Sequence, residues 1–521
     1  MHAAMAHPAA GDSPSVGESP LPSDRLGFTR KGMILHAAQN AMNHSRNRFA
    51  ADVLQDLIDE CPTLAKAHGF LGSAVGRMGD PEAAIALHER AVELDPTDAS
   101  LHSTLIFSLD QSGETTLERA YRARRAFNAC VTRGLGAPAE HENDRDPDRR
   151  LRVGYVSGDF RNHSAAYGWG PVLLAHSRAD FDLYAYSNNP EEDDRTRDFR
   201  AAVPTWRDAW RMSDDELERQ IREDRIDVLV DLSGHSLGNR LEVFARKPAP
   251  IQVTGWGYIT GTGLDAMDYL FADDVTILPD EERWYAEEVV RLPRILTYWT
   301  ASPVAVGEVV TPPCDANGHL TFGVFNRLGK IQMPCVRAWA EILARLPDAR
   351  LLFKCPGLDD AAAKSELQRQ FAECGGDVAR LEMLGMTPQD DHLRTFHRVD
   401  IHLDTSPHGG GMTTLEAAWM GVPSLTLPDK QIVSRIAATV NRELGLGYLI
   451  ADSWPDYIGR AVALDGQRDE LRRVRRLMRD LMTVSSFGDH VGYARACETQ
   501  YRHMWERWCR GESPKRLKAV A

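Results

Sequence analysis

The residues best equipped for chemistry lie between Asp404 and Pro428, in DTSPHGGGMTTLEAAWMGVPSLTLP. Three consecutive glycines, Gly409, Gly410 and Gly411, follow Ser406-Pro407, and Met412 then leads into two hydroxyls, Thr413 and Thr414. A glycine turn running from a strand into a helix N-terminus presents bare backbone N–H groups, which suit an anion. Glu416, in the first helical turn, has a carboxylate able to accept hydrogen bonds from a sugar diol. The same letters also spell Thr-x-x-Glu, a capping box from Thr413 to Glu416. This segment alone therefore leaves a ligand site and an ordinary βα turn both open. Three further loops carry reactive types: His163 in GDFRNHS, Asn326, Arg327 and Lys330 in NRLGK, and His392 in TPQDDH. Lys330 and Arg327 offer the charge that a partly desolvated diphosphate needs, and an imidazole at His392 can meet a base by stacking or hydrogen bonding. Taken singly, Lys330 also reads as a solvated loop lysine and His163 as a satisfied loop histidine.

Groups of this kind must be held at strand ends. Short apolar runs suggest strands at 151–157, 182–187, 227–233, 251–256, 269–273 and 289–293, with a helix at 214–223 just before the third. A second series follows at 320–325, 350–355, 380–385, 400–404 and 423–428. Buried strands alternating with helices imply parallel, doubly wound sheets, so the reading is two α/β lobes in tandem, with ligands at the carboxyl ends of strands where the lobes face. Leu415 to Met420 reads as the helix after the glycine turn, and 302–317 as a hinge between a first lobe (151–301) and a second (318–485).

Ahead of the lobes the pattern is all-α. Pro62 and Pro96 stand 34 residues apart, and Leu71, Gly72, Ala84, Ala91 and Pro96 occupy the key positions of a tetratricopeptide unit. A weaker unit precedes it and a partial one follows from Ala99, giving helical repeats over 28–135. Two units and a fraction cannot bury their own faces and must stack on the next domain. Residues 136–150, with the charged run EHENDRDPDRR, read as a linker, and 1–27 as a flexible tail rich in Pro, Ser, Gly and Ala.

Composition narrows the function classes. Of 521 residues, 43% are hydrophobic and 26% charged, with a net charge of −14, which argues against nucleic acid as the main partner. No run approaches the roughly 18 apolar residues of a membrane helix. The eight cysteines are scattered without a CxxC pair, as expected of reduced thiols in the cytoplasm, with no zinc site or disulfide framework.

Taken together, LRVGYVSGDFRNHS, the stretch 247–273, VFNRLGKI, HLDTSPHGGGMTTLEAAWMGVP and the tail YARACETQYRHMWERW resemble the tetratricopeptide-containing protein O-GlcNAc transferases, in one order over roughly residues 30 to 510. The resemblance implies an α/β GT-B fold, two Rossmann-like lobes preceded by the repeats, and a final helix (486–512) crossing back to the first lobe. Few repeats and a short hinge look like a bacterial member. The implied reaction is inverting and metal-independent, passing GlcNAc from UDP-GlcNAc to Ser/Thr hydroxyls of a protein or peptide acceptor, with no cofactor, nucleic acid or membrane involved. Lys330 would contact the diphosphate, and Asn326 and Arg327 would lie beside it, Arg327 where animal enzymes have glutamine. His392 would meet the uracil, Gly410, Gly411, Met412, Thr413 and Thr414 would form the phosphate-facing turn, and Glu416 would bind the ribose. Gly411 and Met412 stand where animal enzymes have histidine and threonine. His163 would lie beside the sugar and the incoming hydroxyl, as general base or as a positioning group. Relatives of this family using GDP-fucose or UDP-glucose leave another nucleotide sugar as the alternative donor. A repeat scaffold with a weakly active catalytic half is the other alternative.

Overall fold

The computed structural model describes residues 30–298 and 306–516. The expected tail at 1–27 and the first residues of the expected hinge, 302–305, lie outside the described residues.

Among the described residues the repeats comprise six helices: α1 (Arg30–Asn43), α2 (Asn47–Glu60), α3 (Ala65–Arg77), α4 (Pro81–Leu94), α5 (Ala99–Leu109) and α6 (Leu117–Val131). They form three full pairs, so the partial unit expected from Ala99 is corrected to a complete one. Its second helix escapes a consensus search because a longer connection, 110–116, precedes α6, where Thr116 caps by accepting from the Arg119 N–H at 3.1 Å. The glycines at repeat positions are there for close approach. A Cβ at Gly72 would fall 2.7 Å from the His88 ring, and one at Gly69 would fall 2.8 Å from Leu101.

The first lobe is a seven-stranded parallel sheet, ordered β3-β2-β1-β4-β5-β6-β7. Its strands are β1 (Leu151–Ser157), β2 (Phe181–Ser187), β3 (Thr205–Arg207), β4 (Val228–Asp231), β5 (Ile251–Thr254), β6 (Tyr269–Ala272) and β7 (Glu288–Arg291). β3 was not expected: its three residues are half-buried and pair only with β2 at the sheet edge, leaving no apolar run to read. The second lobe has five parallel strands, ordered β10-β9-β8-β11-β12: β8 (Thr321–Val324), β9 (Arg350–Lys354), β10 (Leu381–Leu384), β11 (Ile401–Leu403) and β12 (Ser424–Leu425). Each lobe reverses strand order beside its first strand, between β1 and β4 and between β8 and β11. Loops after those strands diverge there and leave a crevice. The expected hinge is not wholly irregular, since Cys314–Asn317 forms one helical turn whose Cys314 N–H donates to Asp400 at 2.9 Å.

The two lobes share one apolar core, with Trp169 and Trp256 from the first, Trp339 and Phe353 from the second, and Tyr501 and Trp505 from the C-terminal helix. Polar bridges fix the lobes across the cleft. Asp273 accepts from Thr439 Oγ1 at 2.6 Å, Arg435 clamps Glu281, and Arg294 meets Glu443 at 2.9 Å. The helix His490–Cys509 lies on the first lobe, where Trp256 Nε1 donates to Tyr493 Oη at 3.1 Å and Arg507 pairs with Glu288 at 2.9 Å. The span 136–150 is anchored, not free: Asn143 and Arg149 both bind the buried Asp227. Among the described residues no helix is long and apolar enough to cross a membrane.

Candidate active site

The loop after β11 brings Asp404 to the centre of the second lobe. Its carboxylate is fully buried and collects three donors: the Gly410 N–H at 2.6 Å, Asn326 Nδ2 at 3.1 Å and Thr426 Oγ1 at 2.8 Å. Asp404 thereby shapes the glycine turn, and the turn needs its glycines. A Cβ on Gly410 would fall 2.5 Å from Thr413 Oγ1 and 2.9 Å from Asp404.

The helix after the turn is Met412–Trp419, three residues longer at its start than the expected Leu415 to Met420. Its cap is Gly411, with no side-chain hydrogen bond, so the first N–H groups, of Met412, Thr413 and Thr414, have no side-chain cap. The Thr413–Glu416 capping box does not form. Thr413 Oγ1 donates to Asn326 Oδ1 at 3.0 Å, Thr414 Oγ1 to the Gly410 carbonyl at 3.3 Å, and Glu416 turns to another helix. Glu416 accepts from Gln389 Nε2 at 2.9 Å and lies 3.3 Å from His392 Nε2. His392 sits within the helix Gln389–Thr395, not in the loop expected for it, and its ring stands edge-on to Phe325 and Phe396. Gly411 has room for a side chain, since its Cβ would make only ordinary contacts with Ile436 and Leu296. Met412 Cε points away from the turn, toward Gly168 of the first lobe, 3.5 Å from where a Cβ there would lie.

Lys330 and Arg327 come from the loop after β8. Lys330 ends a short 3₁₀ turn, Leu328–Lys330, and its Nζ donates to the Gly409 carbonyl at 2.7 Å. Burial and the neighbouring Arg327 pull the ammonium down to about 7, against the opposing pull of Asp404. Burial raises Asp404 to about 6. Arg327 is half-buried, donates to Gln111 Oε1 at 3.3 Å and stacks over the Phe107 ring, its centre 5.6 Å away. His408 is buried beside both cations, which with burial hold it neutral, and its Nδ1 has no hydrogen-bond partner among the described residues. Lys330 thus faces the Asp404 carboxylate while the neighbouring Arg327 has no carboxylate partner among the described residues, a local excess of positive charge beside an uncapped helix N-terminus that suits an anion.

His163 belongs to the facing lobe, as the cap of the helix Ser164–Ala175. Its Nδ1 accepts from the Ala165 N–H at 3.3 Å and lies 3.4 Å from Asp159 Oδ1, with the ring two-fifths exposed. Burial lowers its proton affinity, Asp159 opposes that, and Arg161 adds to it. Among the described residues it hydrogen-bonds none from the second lobe. The structure thus joins Lys330, Asn326, Gly410, Thr413 and Thr414 into one network and His392 with Glu416 into another, with His163 across the crevice. Sequence reasoning missed Asp404, Gln389, Asp159 and Gln111. The first was legible as an acid ending a buried strand ahead of a glycine turn; Gln111 carried no signal. Asp273 is used internally, accepting from Thr276 Oγ1 at 2.9 Å and the Ile295 N–H at 3.1 Å, and no three His, Cys, Asp or Glu side chains cluster as metal ligands among the described residues.

Comparison with known proteins gives this geometry a lineage. The model of glycosyl transferase family 41 matches residues 102–300 and 313–496, which include His163, Lys330, His392 and the glycine turn. A rice (Oryza sativa subsp. japonica) protein named probable UDP-N-acetylglucosamine–peptide N-acetylglucosaminyltransferase SPINDLY is 32% identical over 435 residues, 82% of this chain and 47% of its own length. The Arabidopsis thaliana protein of the same description called SEC is 28% identical over 401 residues, 75% of this chain and 40% of its own. The chain thus spans about half the length of such plant relatives, or less. A mutant O-GlcNAc transferase from Thermobaculum terrenum superposes with a TM-score of 0.69 at 33% identity, covering 93% of this chain and 99% of that one. With the family model spanning both lobes and the crevice between them, this chain belongs to glycosyl transferase family 41.

Proposed function

We propose that the protein transfers N-acetylglucosamine from UDP-GlcNAc to serine or threonine hydroxyls of protein acceptors, with inversion at the anomeric carbon. The observation that carries this reading is the Lys330 ammonium beside the uncapped N-terminus of Met412–Trp419, in a chain of glycosyl transferase family 41. The names of the relatives support GlcNAc and a peptide acceptor.

In this account the acceptor oxygen attacks C1 of the sugar from the first-lobe side while the C1–O bond to UDP breaks. Negative charge then grows on the β-phosphate. Lys330, Arg327 and the N–H groups of Met412, Thr413 and Thr414 are fixed before that charge develops, so they stabilise it without reorganising. Glu416 takes the ribose hydroxyls and His392 the uracil, which would separate their mutual 3.3 Å contact or share it with the ligand. His163 takes the acceptor's proton. For its Nε2 to accept that proton, Nδ1 must carry the hydrogen and give it to Asp159, in place of accepting from Ala165. Asp159 is then the group that sets the tautomer.

His163→Ala should keep UDP affinity within about twofold and lower transfer to a peptide by roughly 10²-fold, measured by calorimetry and by a radiolabelled-sugar transfer assay. Loss of both would assign His163 a structural role. Asp159→Asn should lower transfer while leaving UDP affinity intact.

A further inference from the structure

The repeats reach the donor site through groups that belong to neither lobe. The end of α5 and the connection after it, residues 107–115, are wedged between the lobes. Phe107 stacks on Tyr258 of the first lobe, with centroids 4.7 Å apart and planes 30° apart. Arg124 of α6, paired with the buried Asp110 at 2.6 Å, donates to the first-lobe Gly261 carbonyl at 3.1 Å. Toward the second lobe, the Gln111 carbonyl accepts from Gln332 Nε2 at 2.9 Å and the Thr115 carbonyl from Gln431 Nε2 at 3.1 Å.

Within that frame Arg327 is unusual. Among the described residues it has no carboxylate partner, and Arg77 and Lys330 are cations nearby. Its guanidinium is held by the Gln111 amide oxygen and the Phe107 ring, both from α5 or just beyond it. A half-buried guanidinium without a counter-ion keeps its position only where neutral groups fix it, because its own charge is repelled by the neighbouring cations and costs desolvation. The family match begins at residue 102, inside α5, so this segment is continuous with the catalytic unit.

We propose that Gln111 and Phe107 are positioning residues that aim Arg327 at the donor diphosphate, so that the third helical pair is part of the donor site. This rests on the reading of Lys330, Arg327 and the glycine turn as the diphosphate site. The same three residues, Phe107, Gln111 and Arg327, also line a cavity of about 470 Å³ between the repeats and the loop carrying Leu237.

The test is a double-mutant cycle on the full chain, read by calorimetry with UDP and with uridine. Gln111→Leu should weaken UDP binding about tenfold in the wild-type background, leave uridine binding unchanged, and cost nothing further in an Arg327→Gln background. Phe107→Leu provides a second arm with the same expected pattern, and thermal melting checks that each variant is folded. Equal losses in both backgrounds, or no loss from Gln111→Leu, overturn the positioning role. If UDP binds no more tightly than uridine to the wild type, or Arg327→Gln leaves UDP affinity intact, the diphosphate reading itself fails and the positioning role falls with it.

Discussion

Lys330 and Asp404 face each other through the glycine turn, and their protonation decides what the turn can hold. Burial depresses the ammonium to about 7, so in the free protein the charge is being lost through pH 7 and most of the population has lost it by pH 8. A bound diphosphate would restore it, so binding should take up a proton above about pH 7. The diphosphate of UDP-GlcNAc is a diester that does not titrate between pH 6 and 9, so affinity should fall with rising pH by up to about tenfold per unit. Lys330→Arg should flatten the profile, and calorimetry in buffers of different ionisation enthalpy should detect the proton. At Gly410 the constraint is steric. Gly410→Ala would push its Cβ into Thr413 Oγ1 and Asp404, and should cost on the order of 1–3 kcal/mol in donor binding or stability, measured by titration and urea unfolding. Glycines, lysine and threonines were readable as an anion site because their types state their chemistry. Asp159 was not, because a carboxylate in the loop before a histidine looks in sequence like any other acid beside a strand.

Elements, more than single residues, decided between the readings that the letters left open. Thr-x-x-Glu satisfies a capping box on paper, but Gly411 caps the helix and the first turn begins at Met412, which carries Thr413 toward Asn326 and Glu416 toward Gln389. Helix starts are hard to place from a pattern that glycine interrupts, since the turn and the first helical residues bear no apolar periodicity. His392 was misplaced on a loop for a related reason: a helix of seven residues, Gln389–Thr395, with two aspartates in its first turn reads as a polar connection. The repeat contributes a clamp of the same order of importance. Gly79 has φ +95°, and a Cβ there would lie 2.7 Å from the Ile331 carbonyl, directly after the turn that carries Lys330. Gly329 sits against the same repeat turn, its Cβ falling 2.9 Å from the Gly76 carbonyl. Gly79→Ala should therefore destabilise by about 1–3 kcal/mol and lower UDP affinity with it, even though residue 79 belongs to no lobe. Urea unfolding and titration of the same variant separate the two effects, and an unchanged UDP affinity would show that the clamp does not reach Lys330.

At the scale of the molecule, apolar runs with turn residues between them were enough to read two parallel sheets, because strands buried on both faces leave long apolar signatures. The edge strand β3 and the second helix of the third pair left no such signature, and the polar seams between lobes left none at all. One seam ties the C-terminal helix to the first lobe. Glu498 accepts from the Ser177 N–H at 2.7 Å and meets His176 Nδ1 at 3.0 Å, while Tyr155 Oη lies 2.6 Å from His176 Nε2. Burial works against the Glu498 carboxylate, but His176 and Arg495 hold it below the usual carboxylate range. Its contribution is present above the ordinary glutamate range and is lost as pH falls through the depressed value. Glu498→Ala should cost about 1–3 kcal/mol near neutrality, with the difference from wild type shrinking in acid. A melting series at several pH values measures it. The donor sugar nucleotide decides the function, and calorimetry of UDP-GlcNAc, UDP-glucose and GDP-fucose against the wild type and Lys330→Ala identifies it most directly. UDP-GlcNAc should bind the wild type and lose at least about tenfold in affinity on Lys330→Ala; tight binding of GDP-fucose with no binding of either UDP-sugar would contradict it.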